Sequence, residues 1–169
     1  MPTLLRSRVP LFALALVTWT AAFGGTAAAN DDQEMPGVRS GRAPLITPPT
    51  KAERAVNYGL QAVGVPYRWG GESPAYGFDC SGLVRWAYGR VGIELPHSSY
   101  ALYGEGRRVS EGKLEPGDIL FFEGLGHVGL YLGRGWMVHA PQTGRNVEVV
   151  RLGSTNYGAR LLGARRVVA

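Results

Sequence analysis

The sequence predicts an α+β domain in which an antiparallel β-sheet packs against a helix that begins at the only cysteine. Helical patterns come first and strand patterns follow, without the alternation of the two that is typical of a parallel sheet. The strand-like runs are short and are separated by glycine-rich turns, which favours an antiparallel sheet of about five or six strands. These runs span residues 119–122, 127–132, 136–139, 147–150 and 161–168.

Residues 1–29 have the composition of a signal peptide for export. Arg6 and Arg8 precede an apolar run over 9–23, and the alanines at 27–29 give the small-residue pattern that a signal peptidase cleaves. The run is too short for a typical transmembrane span, and an uncleaved anchor is the alternative. We therefore expect a secreted or periplasmic protein with no integral membrane span after cleavage.

Residues 30–49 are interpreted as a flexible or extended leader, because they are polar, contain four prolines and show no apolar period. The folded domain is expected to occupy 50–169. Thr50 and Glu53 have the spacing of a capping box, so a helix should begin there and end at Gly64. Its predicted apolar face comprises Val56, Leu60 and Val63.

The charge and the cysteine content argue against two classes of protein. The formal net charge is +5, and it falls by two if the signal peptide is removed. No basic stripe of the kind that binds nucleic acid is present in the sequence, so we expect no nucleic-acid partner. A single cysteine cannot form a disulfide within the chain, so the domain must be held by its core. We expect a monomer.

The stretch 77–84 places the cysteine where a loop turns into a helix. Asp79 is a favourable N-cap residue, so Cys80 should lie in the first helical turn. Unpaired backbone N–H groups and the positive end of the helix dipole meet there, and both favour the thiolate. A buried cysteine that only fills space is the alternative interpretation. The helix is predicted to continue to Gly92 on an apolar face made of Leu83, Val84, Ala87, Tyr88 and Val91.

Residues 127–139 are predicted to form a β-hairpin with a histidine at each end. If a three-residue loop is centred on Gly133, His127 and His139 are direct cross-strand partners on one face of the sheet. A two-residue turn at Gly133 and Arg134 would send His139 to the opposite face. A joint role for the two histidines therefore requires a loop of odd length or a β-bulge.

One cysteine and two histidines suit nucleophilic catalysis. His127 would accept the proton of the Cys80 thiol and later protonate a leaving amine, while His139 would hydrogen-bond the far nitrogen of His127 and fix its tautomer. The same three residues could contribute to a zinc site, but the sequence lacks the closely spaced ligand pairs of structural zinc sites. We expect no metal and no cofactor.

Other ring-bearing side chains flank the cysteine in the sequence. Tyr67 is a pocket candidate because it lies just ahead of the cysteine loop, whereas Trp69 is expected to be mainly packing. His97 follows a proline and precedes two serines, so it is expected to be partly exposed. It has no catalytic or ligand partner at a chemically meaningful spacing, so it is a weaker functional candidate than His127 and His139.

A set of five motifs runs through the chain. They are YRWGG at 67–71, DCSGLV at 79–84, PGDILFF at 116–122, HVGLY at 127–131 and VHA at 138–140. In this order they resemble the motifs of NlpC-type cell-wall peptidases, which are papain-like cysteine enzymes of bacterial envelopes. The resemblance covers about residues 55–151. It implies a papain-like fold and an endopeptidase acting on peptidoglycan stem peptides, commonly at the bond between D-γ-glutamate and diaminopimelate or lysine.

The resemblance also implies roles for individual residues. Cys80 corresponds to the nucleophile, His127 to the base and His139 to the orienting third member of a triad. Tyr67, together with the backbone N–H of Cys80, would stabilise the oxyanion.

Three other positions match substrate contacts of the family. Asp79 and Ser81 flank the nucleophile where family members contact the amine end of the stem peptide, and Ser99 falls at a substrate-contacting serine. His97 and Ser98 stand where many members have an arginine and an acidic residue. This departure leaves open whether a free L-alanine amine is required.

Three other functions remain as alternatives. A cross-link-cleaving endopeptidase of the same family would use the same residues. A Cys-His amidase or acyltransferase acting on another envelope substrate would share the triad and differ in its pocket. A non-catalytic wall-binding protein is disfavoured, since Cys80, His127 and His139 occur together.

Overall fold

The computed structural model describes residues 47–168. The predicted signal peptide, 1–29, and all but the last three residues of the predicted leader, 30–49, lie outside the described residues. In the described part of the chain, no helix has the length and apolar character needed to cross a membrane.

The described residues contain three α-helices and eight β-strands. The helices are α1 (Lys51–Gln61), α2 (Cys80–Gly89) and the single turn α3 (Ser99–Leu102). The strands are β1 (Glu72–Ser73), β2 (Gly77–Phe78), β3 (Arg107–Val109), β4 (Ile119–Phe122), β5 (Val128–Gly133), β6 (Trp136–His139), β7 (Glu148–Arg151) and β8 (Leu161–Arg166).

The strands form two antiparallel sheets. β1 and β2 make a small hairpin beside the cysteine, and the other six strands form one sheet in the order β3-β8-β4-β5-β6-β7. The predicted α+β class and the predicted size of the sheet are therefore confirmed. The short strand β3 was not predicted, because two arginines in three residues give no apolar alternation.

The helix α1 begins as predicted but buries a different face. Thr50 Oγ1 accepts a hydrogen bond from the Glu53 amide at 3.1 Å, and Glu53 Oε2 accepts one from the Thr50 amide at 2.8 Å. The predicted burial of Leu60 and Val63 is wrong, since they are 40% and 47% exposed. Small residues approach the sheet instead, because a Cβ at Gly59 would lie only 3.1 Å from a methyl of Val138. The buried residues of α1 are Ala55, Val56 and Gly59.

The helix α2 carries the cysteine at its first position. Asp79 caps it as predicted, with Oδ1 accepting a hydrogen bond from the Gly82 amide at 2.7 Å. Gly82 is required because the preceding loop crosses the helix closely: a Cβ there would lie 2.0 Å from the Gly71 carbonyl oxygen. The helix ends at Gly89, earlier than predicted, and Gly92 turns the chain with a φ of +76°.

Two cores hold the sheet, one on each face. The larger core lies between the sheet and the helices and includes Leu83, Val84, Leu130 and Val138. The second lies on the other face and includes Leu120, Phe122, Tyr131, Met137 and Leu152. Burial of each large apolar side chain contributes about 1.5–3 kcal/mol, so α2 is anchored firmly against β5.

Candidate active site

The β5–β6 hairpin combines a two-residue turn with a β-bulge. Arg134 and Gly135 form the turn with φ values of 52° and 79°, the left-handed conformation that tight hairpin turns require. Pairing starts with Gly133 opposite Trp136 and then shifts by one residue. The three-residue loop centred on Gly133, one of the arrangements considered above, does not occur; of the two features that could place both histidines on one face, a loop of odd length or a bulge, the hairpin contains the bulge.

The bulge decides which face His139 occupies. Beyond it, Leu130 pairs with Val138, so the same register sets Gly129 opposite His139. His127 lies two residues beyond Gly129 on the same face. The predicted direct cross-strand pairing of His127 and His139 is therefore wrong, and the two side chains are diagonal neighbours instead.

The two histidine rings are in contact. His127 Nε2 lies 2.8 Å from His139 Nδ1, with the ring planes at 83°. Tyr157 stacks on His127 at a centroid distance of 5.4 Å and meets His139 edge-on at 4.9 Å. Sequence reasoning missed Tyr157, because it lies in a loop without periodicity or motif. The packing holds both rings in fixed orientations.

The second nitrogen of His139 points away from His127 toward the neighbouring strand. His139 is completely buried, and its Nε2 has no hydrogen-bond partner among residues 47–168. Glu148 Oε1 lies 3.4 Å from this atom, and Arg145 Nη2 donates to Glu148 Oε2 at 2.6 Å. Neither charged residue was singled out from the sequence.

The thiol of Cys80 lies half-buried in a cavity of about 360 Å³ that His127 also lines. Burial raises the pKa of the Cys80 thiol, the backbone N–H of Val128 opposes this rise, and the charge of Asp79 adds to it. The backbone amides of Ser81 and Cys80 also lower the pKa, but they do not offset the burial. The amides at the helix start therefore act in the predicted direction, toward the thiolate, but burial outweighs them.

Burial also favours the neutral form of both histidines. It is the largest cause of the lowered pKa of His127, followed by the charges of His139 and Arg160. Burial and then the charge of Arg145 lower the pKa of His139. The resting site therefore pairs a neutral thiol with a neutral imidazole, an arrangement that suits proton transfer during reaction.

The carboxylate of Asp79 collects several hydrogen bonds. Oδ1 accepts from the Gly82 amide at 2.7 Å and from Ser81 Oγ at 3.1 Å, and Oδ2 accepts from the Gly70 amide at 2.9 Å. His97 Nε2 lies 3.0 Å from both oxygens. His97 is partly exposed as predicted. The expectation that it has no chemically meaningful partner is wrong, since it lines the cavity and contacts the cap of the cysteine helix.

His97 also joins Asp79 to a second charged pair. Its Nδ1 lies 3.3 Å from Glu72 Oε2, and the same Glu72 carboxylate accepts from Arg85. The sequence alone does not reveal the contact between His97 and Asp79, because the two residues are 18 positions apart. They come together only in the folded domain.

Aromatic and hydroxyl side chains complete the cavity. Tyr67 lines it as predicted, and burial followed by the charge of Cys80 raises the pKa of its phenol. The prediction that Trp69 is mainly packing is wrong, because it is 85% exposed at the cavity rim. Ser99 also lines the cavity, but its hydroxyl donates to the Leu125 carbonyl oxygen at 2.5 Å. Ser99 Oγ is thus left mainly as an acceptor.

Metal-ligating residues do not cluster in residues 47–168. Within this range no group of three or more His, Cys, Asp or Glu side chains is arranged to hold a metal ion.

The sequence is similar to curated endopeptidases over part of their length. It is 49% identical over 108 residues to the probable endopeptidase Rv2190c of Mycobacterium tuberculosis, covering 62% of this chain and 28% of that protein. It is 38% identical over 122 residues to the murein DD-endopeptidase MepH of Escherichia coli, covering 68% and 45%. The chain thus spans less than half the length of these relatives.

A solved structure and a family model both identify the family of this chain. An NlpC/P60 family protein from Bacillus cereus superimposes with a TM-score of 0.68 at 35% identity, covering 72% of this chain and 42% of that one. This similarity confirms the predicted papain-like fold of the family. The model of the NlpC/P60 family matches residues 64–166, and the chain belongs to that family.

Proposed function

We propose that this protein is a cysteine endopeptidase that hydrolyses the stem peptides of peptidoglycan. The observation that carries the proposal is the contact between His127 Nε2 and His139 Nδ1. It leaves His127 Nδ1 as the ring nitrogen available to Cys80, and both residues line the same cavity. The NlpC/P60 relatives named as endopeptidases support the reaction class.

The first half-reaction forms an acyl-enzyme. His127 Nδ1 accepts the thiol proton while Cys80 Sγ attacks the peptide carbonyl carbon. The backbone N–H of Cys80 and the Tyr67 hydroxyl, both of which belong to residues lining the cavity, would donate to the resulting oxyanion. The intermediate collapses, the C–N bond breaks, and the His127 imidazolium protonates the leaving amine. The product at this stage is a thioester on Cys80.

The second half-reaction restores the enzyme. His127, now neutral, accepts a proton from water, and the hydroxide attacks the thioester carbonyl. Breakage of the C–S bond releases the carboxylic acid, and the thiolate recovers the proton from His127. Burial raises the pKa of Cys80 and lowers that of His127, so it disfavours a thiolate–imidazolium pair before substrate binds and favours proton transfer during attack.

The cleaved bond is proposed to be that between D-γ-glutamate and diaminopimelate or lysine. The similarity to MepH, named as a DD-endopeptidase, favours cleavage of cross-links as the second candidate. A Cys-His amidase or acyltransferase would use the same thiol and histidines on a different substrate. Asp79, Ser81 and Ser99 line the cavity and are proposed to contact the substrate.

Mass spectrometry of products from purified sacculi distinguishes these candidates. The wild-type protein is expected to release fragments that end at D-γ-glutamate, and Cys80→Ala is expected to release none while keeping the wild-type circular dichroism spectrum. Fragments that differ only by broken cross-links would establish the second candidate. Normal release by Cys80→Ala would overturn the nucleophile assignment.

The proposed substrate lies outside the cytoplasmic membrane, so we also propose export. The signal peptide is assigned to 1–29, the leader to 30–49 and the peptidase domain to 50–169. The protein is then secreted or periplasmic and acts as a monomer. The intact mass of the protein recovered from the envelope fraction tests the cleavage site, since removal of the signal leaves Asn30 at the N-terminus.

A further inference from the structure

We propose that Glu148 is a positioning residue that selects the reactive tautomer of His127 by acting through His139. The inference rests on the proposed roles of Cys80 and His127. It adds one carboxylate behind the proposed triad of Cys80, His127 and His139. Glu148 touches neither the thiol nor the cavity that holds it.

The sheet itself brings Glu148 to His139. The register of β6 and β7 pairs His139 directly with Glu148, so their side chains emerge on the same face at the shortest cross-strand distance. Glu148 Oε1 lies 3.4 Å from the buried and unpartnered His139 Nε2. A small movement of either side chain converts this approach into a hydrogen bond, as is common when a catalytic site tightens around its substrate.

The proton positions on the two histidines are coupled. For His127 Nδ1 to accept the thiol proton, the hydrogen of neutral His127 must reside on Nε2, which then donates to His139 Nδ1. His139 must in turn carry its hydrogen on Nε2, the atom that faces Glu148. A carboxylate accepts hydrogen bonds and cannot donate them, so Glu148 favours this arrangement and disfavours the reverse one.

The opposite arrangement would be inactive. If His139 carried its hydrogen on Nδ1, it would donate to His127 Nε2, and the hydrogen of His127 would reside on Nδ1. His127 Nδ1 could then not accept the thiol proton of Cys80. By favouring one tautomer of His139, Glu148 therefore also sets the tautomer of His127 and its ability to accept that proton.

Arg145 limits the effect of the Glu148 charge. Beyond the effect of burial, the charge of Arg145 lowers the pKa of His139, so the Arg145–Glu148 ion pair adds little net charge behind the rings, and Glu148 acts as a hydrogen-bond acceptor. Arg145 donates to Glu148 Oε2 at 2.6 Å and leaves Oε1 facing His139. Tyr157, which packs against both rings, restricts their rotation, so the ring orientations do not depend on Glu148 alone.

The rate of Cys80 alkylation by iodoacetamide tests the proposal without any peptidoglycan. Cys80 is the only cysteine, so the label reports on one thiol. Glu148→Ala is expected to lower the rate at neutral pH about tenfold, within the range seen when a hydrogen-bond partner behind a histidine is removed. Glu148→Gln keeps an acceptor oxygen but loses the charge, so its alkylation rate should lie between those of the wild-type protein and Glu148→Ala. Glu111→Gln removes one exposed carboxylate elsewhere and should leave the rate unchanged.

Nitrogen-15 NMR of the imidazole rings gives the second readout. In the wild-type protein His139 is expected in the Nε2–H form, and Glu148→Ala should show a mixture with the Nδ1–H form. An unchanged alkylation rate together with an unchanged His139 tautomer in Glu148→Ala overturns the proposal. If both readouts change as expected but the wild-type protein does not cut sacculi, the proposed substrate is wrong while the role of Glu148 stands.

Discussion

His97 Nε2 lies 3.0 Å from both carboxylate oxygens of Asp79, the residue that caps the helix of Cys80. The charge of Asp79 raises the pKa of the Cys80 thiol, so a donor that shares this charge assists formation of the thiolate. His97 thus connects the wall of the cavity to the reactivity of the sulfur.

Removal of this donor should slow the reaction. We expect His97→Ala to lower kcat/KM on soluble stem peptides about tenfold, because a hydrogen bond to a charged group is lost, and His97→Gln to recover part of the loss. Tyr76→Ala, which alters an exposed ring outside the cavity, serves as the matched control. An unchanged kcat/KM for His97→Ala would show that the Asp79 contact only holds the loop.

The two histidines of the hairpin should differ in importance. His127→Ala removes the proposed base and should reduce kcat about a thousandfold or more. His139→Ala removes only the partner of that base, so a loss of about tenfold to a hundredfold is expected. Steady-state kinetics on the same peptide measure both. Equal losses would indicate that both rings exchange protons during the reaction.

Stability should decrease as the pH falls below about 6.5. Burial lowers the pKa of His127 and of His139 in the folded protein, so the unfolded chain binds protons in a range where the folded protein does not. The free energy of unfolding then falls with decreasing pH by up to about 1.4 kcal/mol per histidine and pH unit. Urea denaturation at several pH values measures the slope, and His139→Asn should make it shallower. The same slope in both proteins would contradict the conclusion that burial keeps His139 neutral in the folded protein.

A buried ion pair between the start of β4 and the end of β8 should be important for stability. Arg166 donates to both oxygens of Asp118 at 2.7 and 2.8 Å, and Asp118 is fully buried. Arg166→Met leaves that carboxylate without its charged partner and with only the Glu115 amide as a donor among the described residues, so it should lower the free energy of unfolding by about 3 kcal/mol. The double variant Asp118→Leu/Arg166→Met should be more stable than Arg166→Met alone. A double variant whose loss equals the sum of the two single losses would exclude coupling between the residues.

The parts of the site that depend on neighbouring residues were predictable from the sequence. The capping of α2 by Asp79 and the position of Cys80 in its first turn follow from residues adjacent in the chain. The requirement for a loop of odd length or a bulge between His127 and His139 followed from the twofold period of a strand, and the hairpin contains the bulge. The exact pairing did not, because turn type and bulge position depend on how the strands pack.

The parts that depend on distant contacts were not predictable. Glu148 reaches His139 only through the pairing of β6 with β7, and His97 reaches Asp79 only through the loop that precedes α3. The exposure of Trp69 could not be inferred either, since a tryptophan side chain is usually packed against other residues. In the same way, the net pKa shift of Cys80 depends on burial, which a helix-start argument does not contain.

The β-bulge in the β5–β6 hairpin also limits which insertions and deletions the hairpin can accept. His127 and His139 are 12 positions apart, and their shared face depends on the parity set by the bulge. Loss or gain of one codon within either strand would turn one ring toward the helices unless a second bulge arose, whereas a change of two codons would preserve the face. A residue inserted into the exposed turn only lengthens the loop, so insertions of odd length should be rejected in the strands and tolerated in the turn.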